Sequence, residues 1–241
     1  MKASLLTRIA LTSAMTLFAS IASAGITLDG TRVVFSAPAK ETSVIVRNQG
    51  SNDIMIQSWV EPNNSGPTAD VPFAITPPLV RLGDKKQQVL RILYQGHGLP
   101  TDKESVFWLA VQEIPQKAKA ENTLQIAIRQ RVKLFYRPAN LPDTAANAAK
   151  SLQWKLVEQG GKTVLSVTNP SAYHVSFSGS TVKLRNGKGT GTATAEMLAP
   201  GATRVVAIKG STDMRSGAAT VEFDSINDYG GLDRVTSKLS N

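Results

Sequence analysis

The sequence predicts an all-β protein of two immunoglobulin-like β-sandwiches in series, and three observations carry that expectation. Helical periodicity is almost absent. In its place, short runs of β-branched and aromatic residues recur, each ended by Gly, Pro, Asn or Asp, as strands joined by turns require. A break in composition at Arg137-Pro138-Ala139-Asn140-Leu141-Pro142-Asp143, which cannot continue a strand, divides the runs into two sets. Hydrophobic residues make up 41% of 241, an ordinary globular share that excludes disorder, collagen and coiled coil.

The first set comprises Thr31–Phe35, Ser43–Arg47, Ile54–Val60, Leu79–Leu82, Gln88–Tyr94, Val106–Ile114 and Leu124–Tyr136. Seven strands in roughly 115 residues fit an immunoglobulin-like sandwich, which does not require a disulfide. Pro62, Pro67, Pro72, Pro77 and Pro78 interrupt the third-to-fourth connection. Beyond the break, Ala145 to Lys150 is small and polar. Strand patterns then resume at Leu152–Val157, Thr163–Thr168, His174–Phe177, Val182–Leu184, Thr203–Ile208, Ala218–Phe223 and Arg234–Ser237. Asn186-Gly187 predicts a hairpin turn. Gly187, Gly189 and Gly191 are spaced like a phosphate loop, but no lysine-serine pair and no helix follows them, so a hairpin is the expectation.

Residues 1–24 read as a cleaved signal peptide. Lys2 and Arg8 form a positive start, Ile9 to Ile21 carries no charge, and Ala22-Ser23-Ala24 is a small-residue cleavage site. The apolar run is shorter than a spanning helix needs. The expected organisation is therefore a signal at 1–24, one sandwich over 25–143 and a second over 144–241.

The inventory of reactive residues is short. There is no cysteine, which removes disulfides, thiolate catalysis and Cys-based zinc sites, and His97 and His174 are the only histidines. No nucleophile elbow is legible, so the chain reads as no enzyme, with no cofactor, metal or small-molecule substrate. Loss of Lys2 and Arg8 lowers the formal charge from +9 to +7. Export and the absence of a basic block argue against nucleic acid; the charge suits acidic partners or solubility.

One segment is unusual. Between Thr123 and Tyr136, Leu124, Ile126, Ile128, Val132, Leu134 and Tyr136 fall on alternate positions, with Gln130 the single polar interruption. Fourteen extended residues would span about 46 Å, beyond a usual strand and beyond a sandwich of this size. The alternation fits side chains packed into the domain's own core. The alternative is an edge strand that offers Leu124, Ile126 and Ile128 to a partner by β-strand addition, the use a protein has for a long apolar edge. Ile128 and Lys133 differ by an odd number, so a regular strand points them to opposite faces unless a bulge intervenes.

Several motifs carry a family resemblance. Leu124-Gln125-Ile126-Ala127-Ile128, followed by Lys133-Leu134-Phe135-Tyr136-Arg137-Pro138, resembles the last strand of the periplasmic pilus chaperones of the bacterial chaperone–usher pathway. Leu99 to Trp108 with Glu113-Ile114-Pro115 is similar to their signature. Asn169-Pro170-Ser171-Ala172-Tyr173 and Ile226-Asn227-Asp228-Tyr229-Gly230-Gly231 are similar to their second domain. The likeness covers the mature chain in matching order. It departs at Ala110, where asparagine is common, and at Gln116.

The resemblance implies a function and a set of sites. The chain would be a periplasmic chaperone with a cleft between its domains. It would stabilise pilin subunits by donor-strand complementation and deliver them to an outer-membrane usher for fimbria assembly. Arg32 and Lys133 match the basic residues that anchor a subunit's terminal carboxylate, Leu124, Ile126 and Ile128 the donated side chains, and Glu104, Arg137 and Asp228 an interdomain ion cluster. The short, cysteine-free connection from Pro115 to Asn122 looks like the short-loop branch of the family, and self-association is one way for the free form to cover its edge. The rival reading from another class is a secreted two-domain β-sandwich adhesin or carbohydrate-binding module. It would need exposed aromatics, and aromatics are only 6% of the chain.

Overall fold

A computed structural model of the chain describes residues 25–63, 71–116, 124, 126–186, 189–210 and 219–239. The signal, the glycine at 187 and most of the connection between Pro115 and Asn122 lie outside these residues.

The first domain is a sandwich of two sheets. One carries β1 (Ile26–Leu28), β3 (Glu41–Asn48), β7 (Gln87–Tyr94) and β5 (Phe73–Thr76) in the order β1-β3-β7-β5. The other carries β2 (Arg32–Ser36), β9 (Arg129–Arg137), β8 (Ser105–Pro115), β4 (Ile54–Pro62) and β6 (Leu79–Leu82) in the order β2-β9-β8-β4-β6. Alternate residues of both sheets fill one core, in which Ile26, Phe35, Val46, Leu90, Ile92, Leu109, Val111 and Leu134 are fully enclosed. The rings of Phe35, Phe73, Tyr94, Phe107 and Tyr136 pack at one end with centroids 4.4 to 6.2 Å apart.

The first edge changes sheets between β1 and β2. The Asp29 amide donates to the Ile45 carbonyl, and its carboxylate accepts from the Ile45 amide, so the chain stays on β3 until Asp29 and then crosses over. β2 runs parallel to β9, with Arg32 opposite Lys133 and Ser36 opposite Arg137. Its late start sets the functional geometry.

The second domain is one seven-stranded antiparallel sheet. Its members are β10 (Gln153–Gln159), β11 (Lys162–Thr168), β12 (Phe177–Asn186), β13 (Gly189–Thr194), β14 (Thr203–Gly210), β15 (Thr220–Ile226) and β16 (Leu232–Lys238), ordered β10-β11-β14-β13-β12-β15-β16. It curls around a single core holding Trp154, Leu165, Val182, Leu184, Val221 and Phe223, and Trp154 of the first strand bridges Leu239 just after the last. A single helical turn, α1 (Ala145–Ala148), leads into it.

Three strands were absent from the sequence reading. β1 is only three residues long; β5 is flanked by the prolines that mark its neighbourhood as loop; β13, Gly-Thr-Gly-Thr-Ala-Thr, has no apolar alternation. The antiparallel pairing of Asn186 with Gly189 agrees with the hairpin expected there. The largest difference concerns the segment read as one strand from Leu124 to Tyr136. β9 begins at Arg129; ahead of it Ile128 keeps one backbone bond to β8, and Leu124 and Ile126 lie outside the strand.

Candidate functional site

The open edge of β9 follows from hydrogen-bond parity. The Glu113 amide of β8 donates to the Ile128 carbonyl at 2.8 Å, and the ladder continues in unbroken register to Ser105 opposite Tyr136. Even-numbered residues therefore turn their backbone groups to β8, and odd-numbered ones turn theirs to the other side. On that side the Arg137 carbonyl accepts from Ala37, and β2 covers β9 from Arg137 back to Lys133, where β2 begins. Ahead of Lys133, the backbone groups of Ala127, Arg129 and Arg131 face that edge without a neighbouring strand among the described residues.

Arg32 and Lys133 sit where the cover stops. Paired in register, they project from the same outer face of the sheet. The Arg32 guanidinium lies 5.4 Å from the Phe135 ring centroid and donates from Nη1 to the Ile226 carbonyl at 2.9 Å, while its Nε is buried without a partner among the described residues. The Lys133 ammonium stands 5.7 Å from the Trp108 ring centroid and has no ion pair among the described residues. Burial pushes the pKa of both down, and for Lys133 the positive charge of Arg32 pushes the same way. Two partly desolvated cations side by side favour an anion between them, above all one with two oxygens.

The nearby carboxylates are already committed. Arg137, at the end of β9, donates from Nε to Glu104 Oε1 at 2.7 Å and from Nη1 and Nη2 to the two oxygens of Asp228 at 2.5 and 2.7 Å. Burial alone would lower the Arg137 pKa, but these bonds carry it well above the ordinary value. Asp228 sits in the turn after β15, which Asn227 shapes by accepting the amides of Tyr229 and Gly231. At Gly230 that turn touches the first domain: φ is +80°, and an added Cβ would come within 2.3 Å of the Thr31 hydroxyl. Only glycine fits there.

The sequence reading missed His174. Its amide and its Nδ1 both lie 2.8 Å from Glu104 Oε2, so Glu104, with a side chain 1% exposed, is held by Arg137 from its own domain and by His174 from the other. The one signal for it was its place directly after the Asn169–Tyr173 motif. A cleft of about 600 Å³ opens beside this cluster, lined by Arg32, Phe135 and Arg137 on one side and His174, Ser225 and Asp228 on the other.

The apolar ridge lies in the segment that leads into β9. Leu124 is 86% exposed and Ile126 67%, while Ile128 is half-buried. The first two are outside the sandwich's own core. In β9 proper, Val132, Leu134 and Tyr136 face that core, where the Gln130 amide donates to the Ile26 carbonyl, whereas Lys133 and Arg131 both face Trp108 outside. No bulge interrupts the paired residues, so the odd spacing of Ile128 and Lys133 keeps them on opposite faces.

Two family models match the chain in succession: the pili and flagellar-assembly chaperone PapD N-terminal domain over residues 25–142, and the pili assembly chaperone PapD C-terminal domain over residues 147–237. The chain belongs to the pilus-assembly chaperones. This chaperone is 38% identical over 231 residues to the probable fimbrial chaperone YadV of Escherichia coli K12, across 92% of its own length and 93% of the relative's. The crystal structure of the YadV chaperone superposes with a TM-score of 0.74 at 34% identity, covering 90% of this chain and all of that one. A Salmonella enterica complex of the SafA pilin with the SafB chaperone matches with a TM-score of 0.71 at 27% identity, over 89% and 96% of the two chains. Within the chaperone, Arg32, Glu104, Arg137 and Asp228 meet at the cleft, and Lys133 stands next to Arg32. Leu124, Ile126 and Ile128 are set apart, in the segment ahead of β9.

Proposed function

We propose that this chaperone binds pilin subunits in the periplasm by lending them the start of β9, and passes them to an outer-membrane usher. The observation that carries the reading is the abrupt start of β2 at Arg32, which leaves the β9 edge ahead of Lys133 uncovered. A subunit strand pairing with Ala127, Arg129 and Arg131 lies on the edge that β2 occupies further on, so the two are collinear. Its end then abuts Arg32 and Lys133, and the end that suits two cations is a C-terminal carboxylate. A strand ending there runs toward Lys133 as β9 does, so the added strand is parallel to β9. The carboxylate fixes its register.

Once extended by that pairing, residues 124–128 continue the β9 alternation, and Leu124, Ile126 and Ile128 share the face that forms the sandwich core. They would complete the core of a subunit that lacks a strand. Burial is worth up to about 1.5–3 kcal/mol for each side chain, before the cost of association. Leu124 to Lys133 spans about 30 Å in an extended chain, so the subunit strand needs roughly nine residues ahead of its carboxylate. The same reading takes Glu104, Arg137 and Asp228 as the bracket that fixes the angle between domains over 25–143 and 144–241. The adhesin reading is not favoured, because the matched family is one of chaperones and Tyr229 is the one large aromatic that stands exposed among the described residues.

The test is Ile126→Asp. With a side chain already outside the core, this change should leave the circular dichroism and thermal midpoint of the free chaperone unchanged. It should reduce co-purification of a co-expressed pilin by at least about tenfold, since a charge would enter an apolar groove. Normal capture by the variant refutes strand lending at this position.

A further inference from the structure

The Glu113 side chain is not among the groups assigned to subunit capture, yet it holds an unusual place. It follows Phe107, Leu109 and Val111 on the core face of β8 and is 8% exposed. Its Oε2 is buried and accepts no hydrogen bond among the described residues. The residues opposite it in the flanking strands, Ile56 of β4 and Ile128 ahead of β9, are apolar, and burial pushes the carboxyl pKa up. A buried carboxylate of this kind is costly unless a donor reaches it.

The group beside that oxygen is Gly25. A Cβ built on Gly25 would lie 1.9 Å from Glu113 Oε2, 2.8 Å from Cδ and 3.0 Å from Oε1. The absence of a side chain is what lets the carboxylate occupy this position. The Gly25 carbonyl is held by the Gln49 amide at 2.8 Å, and Ile26 behind it is fully buried and paired with Asn48. Bond lengths then keep the Gly25 nitrogen within about 5 Å of Oε2. Gly25 is also the residue that cleavage after Ala22-Ser23-Ala24 would make the first of the mature chain.

We propose that removal of the signal peptide creates the missing partner: the new α-ammonium of Gly25 pairs with the Glu113 carboxylate and clamps the start of β1 to the end of β8. Before cleavage, Gly25 offers one amide hydrogen and no charge. After it, three donors and a positive charge sit beside the carboxylate. The clamp joins the two sheets at the end of the sandwich where the Glu113 amide holds Ile128, the root of the apolar ridge. The first domain thus gains its last core contact only after processing.

The experiment compares the full mature chain starting at Gly25 with one that retains Ala24, each with and without Glu113→Gln. N-terminal mass spectrometry of the exported protein should give Gly25 as the first residue. In the mature wild type, NMR titration should place the α-amino pKa at least about one unit above its ordinary 7.7–8.0. Glu113→Gln should lower the thermal midpoint of the mature chain by about 3–6 °C and that of the Ala24-retaining chain by less than about 1 °C. An α-amino group titrating in its ordinary range, equal midpoint shifts in the two chains, or a mature N-terminus other than Gly25 overturns the proposal. The wild-type titration decides it even if the variant folds poorly.

Discussion

A Lys133→Ala chaperone should fail to retain pilin while melting within about 2 °C of the wild type. The two outcomes separate because Lys133 is a partly desolvated cation beside another cation, with no ion pair among the described residues of the free protein. Its removal relieves an unfavourable placement and costs only the contact with Trp108. In the complex the same ammonium would form charge-assisted bonds to the subunit carboxylate, worth about 1.5–3 kcal/mol each and therefore about 10- to 150-fold in affinity. Arg32→Ala should reduce capture similarly but also lower the midpoint by a few degrees, because Arg32 bonds the Ile226 carbonyl across the domain junction. Binding measured by surface plasmon resonance alongside thermal melting distinguishes the two variants.

Arg137→Ala should produce the largest loss of stability. Glu104 is enclosed, and without Arg137 it keeps its contacts with the His174 amide and ring nitrogen but loses its ion pair. Removing one partner of a buried ion pair costs about 3–5 kcal/mol, because the other charge is left desolvated. For domains of this size that corresponds to a drop of about 10 °C or more in the midpoint. The Asp228 contact, more exposed to solvent, contributes mainly to orientation. Small-angle scattering should therefore show a broader distribution of interdomain angles in the variant. Adding Glu104→Gln should restore part of the stability, since it removes the stranded charge, but not the angle.

Most of the strands were legible because a half-buried strand must alternate. Leu79–Leu82 was read with its observed bounds, and most others were placed to within two residues. The start of β9 was not legible, for a physical reason. Periodicity reports where side chains point, not which strand the backbone bonds, so a ridge meant for a foreign core reads like one meant for its own. The exposure of Leu124 and Ile126 answers a question the pattern left open. The pairing of Arg32 with Lys133 across about a hundred residues, and the meeting of Glu104, Arg137 and Asp228, came from resemblance alone, since spacing in the chain says nothing about a parallel register or a domain junction. His174 and Glu113 were missed. A single histidine after a turn motif and a glutamate in an apolar strand carry no local sign of the partner that the fold brings to them.

Strand lending at the edge ahead of β2 is tested most directly by residue-resolved amide hydrogen exchange of the chaperone, free and bound to a pilin. The amides of Ala127, Arg129 and Arg131 face the open edge, and in the complex their exchange should slow by at least about 100-fold. Those of Lys133 and Phe135, which β2 already covers, should change little. Unaltered exchange at Ala127, Arg129 and Arg131 in a saturated complex would contradict it, because no strand could then be hydrogen-bonded to that edge.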